Sequence, residues 1–304
     1  MIRINFDPDL LIGDRAGEWL DWKQQAANAT VEIIRNWQLG VDPIITSEHE
    51  RIYRGLRNWL LEFVFNEKCA YCERKMIKNK EQAAAEHYRP KLAVKLMKSK
   101  GGRSVFAPGM DGAPTKHPGY FWLALDWRNI VPSCAGCNAL KGKLNQFPVS
   151  ENYCYAVRLT DQEIAAIDEE PTPIPGHSQL YFLGFKELNR RERPLLLHPY
   201  FDDPSEHLSF DPNGTVTGLD DKGEISIAVL NLDEDGLRGQ REIAWYDAEV
   251  EAIMEVKRLR KGYMPRDEAL RDVRTRFAEA CPPAREYAAV YRAAIEHYCD
   301  QFLD

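Results

Sequence analysis

Two C-x-x-C pairs constrain the fold of this 304-residue chain more than any other feature. Cys69 and Cys72 form the first pair, and Cys134 and Cys137 form the second, with 61 residues between the pairs. Four thiolates can close a tetrahedral Zn2+ site, and a site closed by four cysteines has no open position for catalysis. The pairs therefore predict a structural zinc that holds two distant segments together. Any reaction has to be sought among the residues between them.

The cysteine usage fits a reducing compartment better than a disulfide scaffold. The chain has seven cysteines, an odd number, and four of them lie in the two pairs. Cys154, Cys281 and Cys299 are predicted to be small buried apolar residues. The N-terminal sequence has no uninterrupted apolar run, and the longest run elsewhere, WLLEFVF, is too short to span a membrane. We therefore expect a cytoplasmic protein that makes no contact with a membrane.

The net charge of −7 hides an uneven distribution along the chain. Residues 66–150 contain 15 Lys and Arg against 6 Asp and Glu, so the remaining residues are strongly acidic. A basic segment in an acidic protein predicts contact with a polyanion. A solvated lysine face would explain KSKGGR, but it explains less well the basic residues that are interleaved with both cysteine pairs.

Apolar spacing predicts two amphipathic helices near the start of the chain, over residues 14–39 and 47–65. Ser47 and Glu50 predict a capping box for the second of them. A long helix is expected over 236–261, followed by two further helical segments.

Two stretches between the helices carry strong turn signals. KSKGGRSVFAPGMDGAPTKHPG is rich in Gly and Pro, and we expect it to be an insertion or a flexible lid. SFDPNGTVTGLDDKGEISIAVL predicts a hairpin. The chain is accordingly divided into a helical region (1–66), a core (67–150), and an α+β to helical region (151–304) that is expected to bind a partner.

Two segments between the cysteine pairs, AAAEHYRPK and DWRNIVPSC, contain the groups that phosphodiester hydrolysis requires. Those groups are a base for water, a cation at the leaving oxygen and cationic side chains that hold the phosphate. Glu86 is a candidate oxygen ligand, His87 a candidate base, and Arg89 and Lys91 are candidate phosphate contacts. Adjacent side chains of a strand point to opposite sides, so Glu86 and His87 share one phosphate only if the strand twists or ends there. Pro90 favours such an end.

The order of these motifs resembles that of the HNH endonucleases: C-x-x-C, then Glu-His with a basic Pro-containing stretch, then W-x-N-I-x-P-x-C-x-x-C-N-x-x-K. Within that class, the resemblance is to the HNH subunit of Septu-type and retron-associated anti-phage systems, which works beside an ABC-type or SMC-like ATPase. It rests on CAYCE, EHYRPK, YFWLALDWRNIVPSCAGCNALKGKLNQFPV and RPLLLHPYFDDPSEHLSFDPNGTV, and it covers about residues 50–245. It implies an α+β fold in which a zinc-stabilised ββα-metal core is flanked by N-terminal and C-terminal helices.

The resemblance also implies a role for each site residue. His87 would be the general base that activates water, and Glu86 a ligand of the catalytic divalent ion. Asn129 would orient the base by holding the connecting loop, and Asn138 would be the second ligand of the ion. Asn138 stands where many members have His, and its amide oxygen favours Mg2+ or Mn2+. Lys141, about one helical turn further on, would contact a phosphate.

These implications predict a metal-dependent endonuclease of a prokaryotic defence system that cuts nucleic acid, DNA rather than RNA, with an ATPase partner. The alternative is a catalytically inactive, zinc-stapled nucleic-acid-binding or adaptor subunit, which Asn138 and the adjacency of Glu86 and His87 would favour. The segment LLLHPYFDDPSEH is either a second metal site or, as we expect, an ordinary capped turn. The candidate ligands in it are His198, Asp202, Asp203, Glu206 and His207.

Overall fold

Long helices lie near both ends of the chain, and short strands lie between them. The computed structural model describes residues 1–39, 43–76, 83–139, 142–279 and 281–302. The α-helices in these ranges are α1 (Gly13–Gln38), α2 (Ser47–Phe63), α3 (Ala135–Asn138), α4 (Asp161–Ala165), α5 (Phe185–Glu192), α6 (Asp221–Leu230), α7 (Asp235–Lys261), α8 (Arg266–Val273) and α9 (Ala288–Asp300). The strands are β1 (Ala83–His87), β2 (Phe106–Pro108), β3 (Pro114–Lys116), β4 (Ile130–Cys134), β5 (Val157–Arg158), β6 (Thr172–Pro173), β7 (Leu180–Phe182), β8 (Leu208–Phe210) and β9 (Val216–Gly218). The predicted α+β class is confirmed.

The predicted N-terminal helices are present as α1 and α2, and they pack against each other. The predicted capping box is wrong by one residue. The Thr46 side chain accepts a hydrogen bond from His49 N (3.3 Å), and His49 Nδ1 accepts one from Thr46 N (3.2 Å). Thr46 has extended backbone angles, so it takes the cap position, and Ser47 becomes the first helical residue.

The centre of the fold is an antiparallel strand pair followed by a short helix. β1 pairs with β4 in a register that sets Ala83 opposite Cys134 and His87 opposite Ile130. α3 begins directly after β4, and α2 packs across both strands. All five residues of β4 are buried, as expected for a strand covered on both faces. This β1–β4–α3 unit carries the candidate site.

The two turn-rich stretches both contain hairpins. β2 pairs with β3 inside the predicted insertion, and β8 pairs with β9 inside the predicted hairpin segment. The second half of that segment is α6, because the Asp220 side chain accepts from Gly223 N (2.8 Å) and caps a helix there. β7 lies between β5 and β6 in a further small sheet.

The buried apolar side chains form one cluster to which all three predicted regions contribute. Ile33, Ile130, Leu188 and Ala294 are all completely buried in it. Cys281 and Cys299 are buried and Cys154 is partly buried. Among the described residues, no helix combines the length and the apolar character that crossing a membrane requires.

Candidate active site and metal centre

The four predicted cysteine ligands come together in the structure. Their Sγ atoms all lie within 4.8 Å of one another, and all four residues are buried. Cys72 Sγ and Cys134 Sγ are 3.7 Å apart. Tetrahedral Zn–S bonds of about 2.3 Å place two ligand sulfurs about 3.8 Å apart. The donor set and its spacing therefore fit a structural Zn2+.

The surroundings of the cysteines also suit a bound cation with thiolate ligands. Cys134 N donates to Cys69 Sγ at 3.3 Å, a contact that orients a ligand sulfur and stabilises its negative charge. Arg74 and Arg241 interact electrostatically with the cluster. Their charges oppose the net negative charge that four thiolates leave around one Zn2+.

The cysteine cluster lies at the junction of β4 and α3. Cys134 is the last residue of β4, and Cys137 lies inside α3. The other pair belongs to the segment after α2, and Ala70 N donates to Pro132 O at 2.9 Å. A zinc ion at this junction would fix the start of α3 against β4.

Asn129 clamps the chain just beyond β1. Its side chain is completely buried. Asn129 Oδ1 accepts from Arg89 N at 2.6 Å, and Nδ2 donates to Arg89 O at 3.1 Å and to Leu123 O at 3.0 Å. Both backbone groups of Arg89 are thereby held, so the chain direction directly after His87 is fixed.

The His87 ring is buried and oriented by a backbone carbonyl. Its Nε2 lies 2.9 Å from Ala124 O, and its ring meets the Tyr53 ring edge-on at a centroid distance of 4.9 Å. A carbonyl oxygen only accepts, so Nε2 carries the hydrogen and Nδ1 carries the lone pair. Burial lowers the pKa of His87 well below its usual value of 6.5. The imidazole is therefore neutral at neutral pH and can accept a proton at Nδ1.

Glu86 is paired with a lysine that the sequence interpretation missed. Lys143 is completely buried, and its Nζ donates to Glu86 Oε1 (2.6 Å), to His87 O (2.8 Å) and to Leu144 O (3.3 Å). Burial raises the pKa of Glu86, and the Lys143 charge opposes that rise. The sequence does contain a signal for this pairing, the second Lys of KGK (141–143), because a carboxylate in a buried strand requires a cation nearby.

The structure brings Lys91 to the same place. Its Nζ lies 4.9 Å from the centroid of the Tyr53 ring, the ring that also contacts His87. Lys91 interacts electrostatically with both Glu86 and His87, and burial lowers its pKa. Lys91 is therefore a partly buried cation beside the candidate base.

Arg89 does not reach a position where it could contact a phosphate, which corrects the sequence prediction. Its side chain is completely buried and forms an ion pair with Glu192, and its Nη2 donates to Asn189 Oδ1 at 2.8 Å. Glu192 also accepts from Tyr120 Oη (3.0 Å) and from Cys154 N (2.6 Å). Arg89 therefore ties the core to α5.

Asn138 is the last residue of α3 and is half-buried, and α3 contacts β1. The oxygens of Glu86 and Asn138 are of the type that Mg2+ and Mn2+ prefer. Lys143 engages Oε1 of Glu86, so Oε2 is the oxygen that could take a ligand bond. Lys141 lies outside the described residues.

The segment around His198 forms a hydrogen-bonded turn. His198 Nε2 lies 2.9 Å from Arg128 O, and His198 N donates to Asp202 Oδ2 at 2.7 Å. Asp202 Oδ1 pairs with Lys222 (2.6 Å), and Asp203 caps a short helical turn. Within the described ranges, the cysteine cluster is the group of three or more His, Cys, Asp or Glu side chains that could hold an ion. The ordinary turn is therefore the alternative that agrees with the structure.

Fold and site together define an α+β protein in which a buried four-cysteine cluster that could hold a structural zinc lies beside a buried Glu-His pair. No family model matches the chain. The chain is 32% identical over 196 residues to Septu protein PtuB of Bacillus mycoides (strain KBAB4), a match that covers 64% of this chain and 52% of PtuB. It is 31% identical over 170 residues to Septu protein PtuA of the same strain, which covers 55% of this chain and 18% of PtuA. The chain thus spans about half the length of PtuB, and the predicted resemblance to Septu proteins is confirmed.

Proposed function

We propose that this protein is the nuclease subunit of a Septu-type anti-phage system and hydrolyses phosphodiester bonds in nucleic acid, DNA in preference to RNA. The observation that carries this proposal is the state of His87. Burial lowers the pKa of its ring, its Nε2 is held by Ala124 O, and its Nδ1 carries the lone pair. It lies at the end of β1, in a β1–β4–α3 unit that a structural zinc would fix.

In this mechanism His87 Nδ1 removes a proton from the attacking water. The Nε2–H bond to Ala124 O keeps the ring orientation and remains in place when the ring becomes positively charged. A phosphate close to the ring would raise the pKa of His87 toward neutral pH, because a negative charge favours the imidazolium form. Substrate binding would therefore make His87 a stronger base.

Glu86 and Asn138 would hold the divalent ion. A bound Mg2+ or Mn2+ would supply positive charge at the leaving oxygen of the phosphodiester. Lys91 would contact the phosphate, and Lys141 is proposed for the same role. Asn129 acts through the backbone of Arg89 and is a positioning residue for His87.

The defence role and the ATPase partner are proposed from the resemblance to Septu proteins. The matches to PtuB and to a part of PtuA support placing this chain in such a system. The region 151–304 would dock the ATPase, which would restrain or trigger cleavage.

One observation favours a second candidate function, an inactive nucleic-acid-binding or adaptor subunit. Glu86 and His87 are adjacent in β1, where successive side chains leave a strand on opposite sides, and Glu86 already has a cation, Lys143, on one of its oxygens. An adaptor would keep the zinc-supported fold and the basic surface without cutting.

Cleavage assays separate the two functions. Plasmid DNA and tRNA are incubated with the zinc-loaded protein and Mg2+ or Mn2+, alone and with its ATPase, beside His87→Ala and His177→Ala. His177 is exposed in a loop, so its variant is the matched control. We expect the wild type and His177→Ala to cut and His87→Ala to be inactive. Equal cutting by the His87 variant, or binding without cutting in every arm, would contradict the nuclease proposal.

A further inference from the structure

Part of the Gly- and Pro-rich segment between the cysteine pairs folds as a small sheet. Leu96 N donates to Arg103 O (2.9 Å) and Val105 N donates to Val94 O (3.0 Å), which joins residues 94–96 to 103–105. β2 continues from there and pairs with β3. Hydrogen bonds therefore hold three adjacent chain segments in a common surface.

The alternation of side chains gives this sheet a buried face and an exposed face. The buried residues pack into the core: Val94, Val105, Ala107 and His117. The exposed face presents Lys95, Phe106 and Lys116. Lys116 lies directly across from Phe106, and Lys95 pairs with Ser104, two residues before Phe106. A phenyl ring with a lysine on either side thus faces the solvent. We call this face the Phe106 face.

The exposure of Phe106 is unusual for a phenylalanine in a strand. The residue is 62% exposed, although burying such a side chain contributes about 1.5–3 kcal/mol. Within the described residues, Phe106 belongs neither to the buried apolar cluster nor to the side chains packed against it. A free ring between cations is the arrangement that single-stranded nucleic acid uses, because every base can stack on it.

The charge of the segment points to the same ligand. Residues 91–118 contain six basic residues and one acidic residue, Asp111. The basic residues are Lys91, Lys95, Lys98, Lys100, Arg103 and Lys116. A surface with this excess attracts a polyanion, and a nucleic-acid backbone supplies one charge at each phosphate.

The Phe106 face is attached to the loop that supports the candidate active site. Lys95 N donates to Asn145 O (2.9 Å), and Lys98 N donates to Gln146 Oε1 (2.6 Å). Residues 145 and 146 directly follow Lys143 and Leu144. The ammonium group of Lys143 donates to Glu86 Oε1 and to Leu144 O. A ligand on this face is therefore bound by the same structural unit as the site.

We infer that the Phe106 face binds a single-stranded segment of nucleic acid, with the Phe106 ring stacked on a base and Lys95 and Lys116 beside the flanking phosphates. The inference rests on the proposed function and deepens it, because it names a substrate with unpaired bases. A fully paired duplex offers no free base face, so it would use the lysines and leave the ring unused.

Binding of short labelled strands by fluorescence anisotropy tests the inference, in the His87→Ala background so that nothing is cut. Single-stranded DNA, single-stranded RNA and a DNA duplex are each titrated over a range of salt concentrations. Phe106→Ala should weaken single-strand binding by about 5- to 150-fold and duplex binding far less, and Phe106→Trp should retain binding. Lys95→Gln with Lys116→Gln should reduce the slope of log K against log salt by about 1.4 on single strands.

Matched controls come from the exposed C-terminal end of α7 and from the turn that follows it. Lys257→Gln with Lys261→Gln removes two exposed charges, and Tyr263→Ala removes a ring that is 96% exposed. The inference is overturned if these controls weaken binding as much as the Phe106-face variants do. It is also overturned if Phe106→Ala binds single strands like its parent, or if the parent binds no strand at low salt. If Phe106→Ala loses binding while cutting does not depend on His87, the nuclease proposal based on His87 is refuted, but the inference that the Phe106 face binds single strands is retained.

Discussion

Replacing Lys143 with Met would leave the Glu86 carboxylate buried without its cation. In the wild type, Lys143 Nζ is 2.6 Å from Glu86 Oε1, and both side chains are buried. Removing one partner of a buried ion pair costs about 3–5 kcal/mol. The variant is therefore expected to lose a large fraction of its stability, whereas Lys95→Met, at an exposed position, should change it by less than about 0.5 kcal/mol.

Protonation of Glu86 sets an upper limit to this loss. A carboxyl group with an unfolded pKa of about 4.3 can be protonated at pH 7 for about 3.7 kcal/mol, and at pH 5 for about 1 kcal/mol. In the variant, the folded pKa of Glu86 lies above the unfolded one, so stability is retained at low pH and lost as the pH rises. The expected cost of Lys143→Met is thus about 3–4 kcal/mol at pH 7 and about 1 kcal/mol at pH 5.

Urea unfolding at the two pH values, with zinc present throughout, measures this cost. Adding Glu86→Gln to the Lys143 variant removes the buried charge, so the double variant should recover most of the loss at pH 7 and show little dependence on pH. A loss below about 1 kcal/mol at pH 7 would refute the reasoning, as would an equal loss at both pH values.

Three further outcomes follow from the same structure. Cys134→Ser should reduce bound zinc from one ion per chain to none by elemental analysis and abolish the cooperative unfolding transition, because such a site contributes about 10–16 kcal/mol. Arg89→Ala should cost about 3–5 kcal/mol in urea unfolding and change nucleic-acid affinity less than twofold under folding conditions, since its charge is buried against Glu192. Burial lowers the pKa of His198 to about 3, so the unfolded state takes up the proton first and stability should fall by a few kcal/mol from pH 6.5 to pH 4. A smaller loss of stability between pH 6.5 and pH 4 in His198→Gln than in the wild type would confirm the prediction for His198.

Features encoded by nearby residues were predicted well. The apolar spacing of three and four residues identified α1 and α2, and α7 was predicted within one residue. The cysteine cluster was predictable because residue type and C-x-x-C spacing specify a ligand pair, and two pairs complete a tetrahedral site. The cap of α2 was missed by one residue, since Thr46 and Ser47 can both accept the bond and only the backbone angles decide between them.

Features that depend on distant residues were not predictable from local pattern. Arg89 was expected at a phosphate because it follows the Glu-His pair. Instead it forms an ion pair with the buried carboxylate of Glu192, a residue 103 positions further on. The pairing of Glu86 with Lys143 spans 57 positions and was missed for the same reason. Buried ion pairs of this kind require the tertiary fold, because either charge alone would be too costly to bury.

The backbone contacts on either side of His87 also explain how a bound zinc could govern the base. Lys143 Nζ holds His87 O from one side, and Asn129 holds Arg89 N and O from the other. Asn129 stands five positions before Cys134, and Lys143 stands six positions after Cys137. Lys143 N also donates to Cys137 O at 2.9 Å. Both anchors of the chain around His87 therefore belong to the segment that the zinc would fix. Loss of the zinc should therefore release His87 from its orientation.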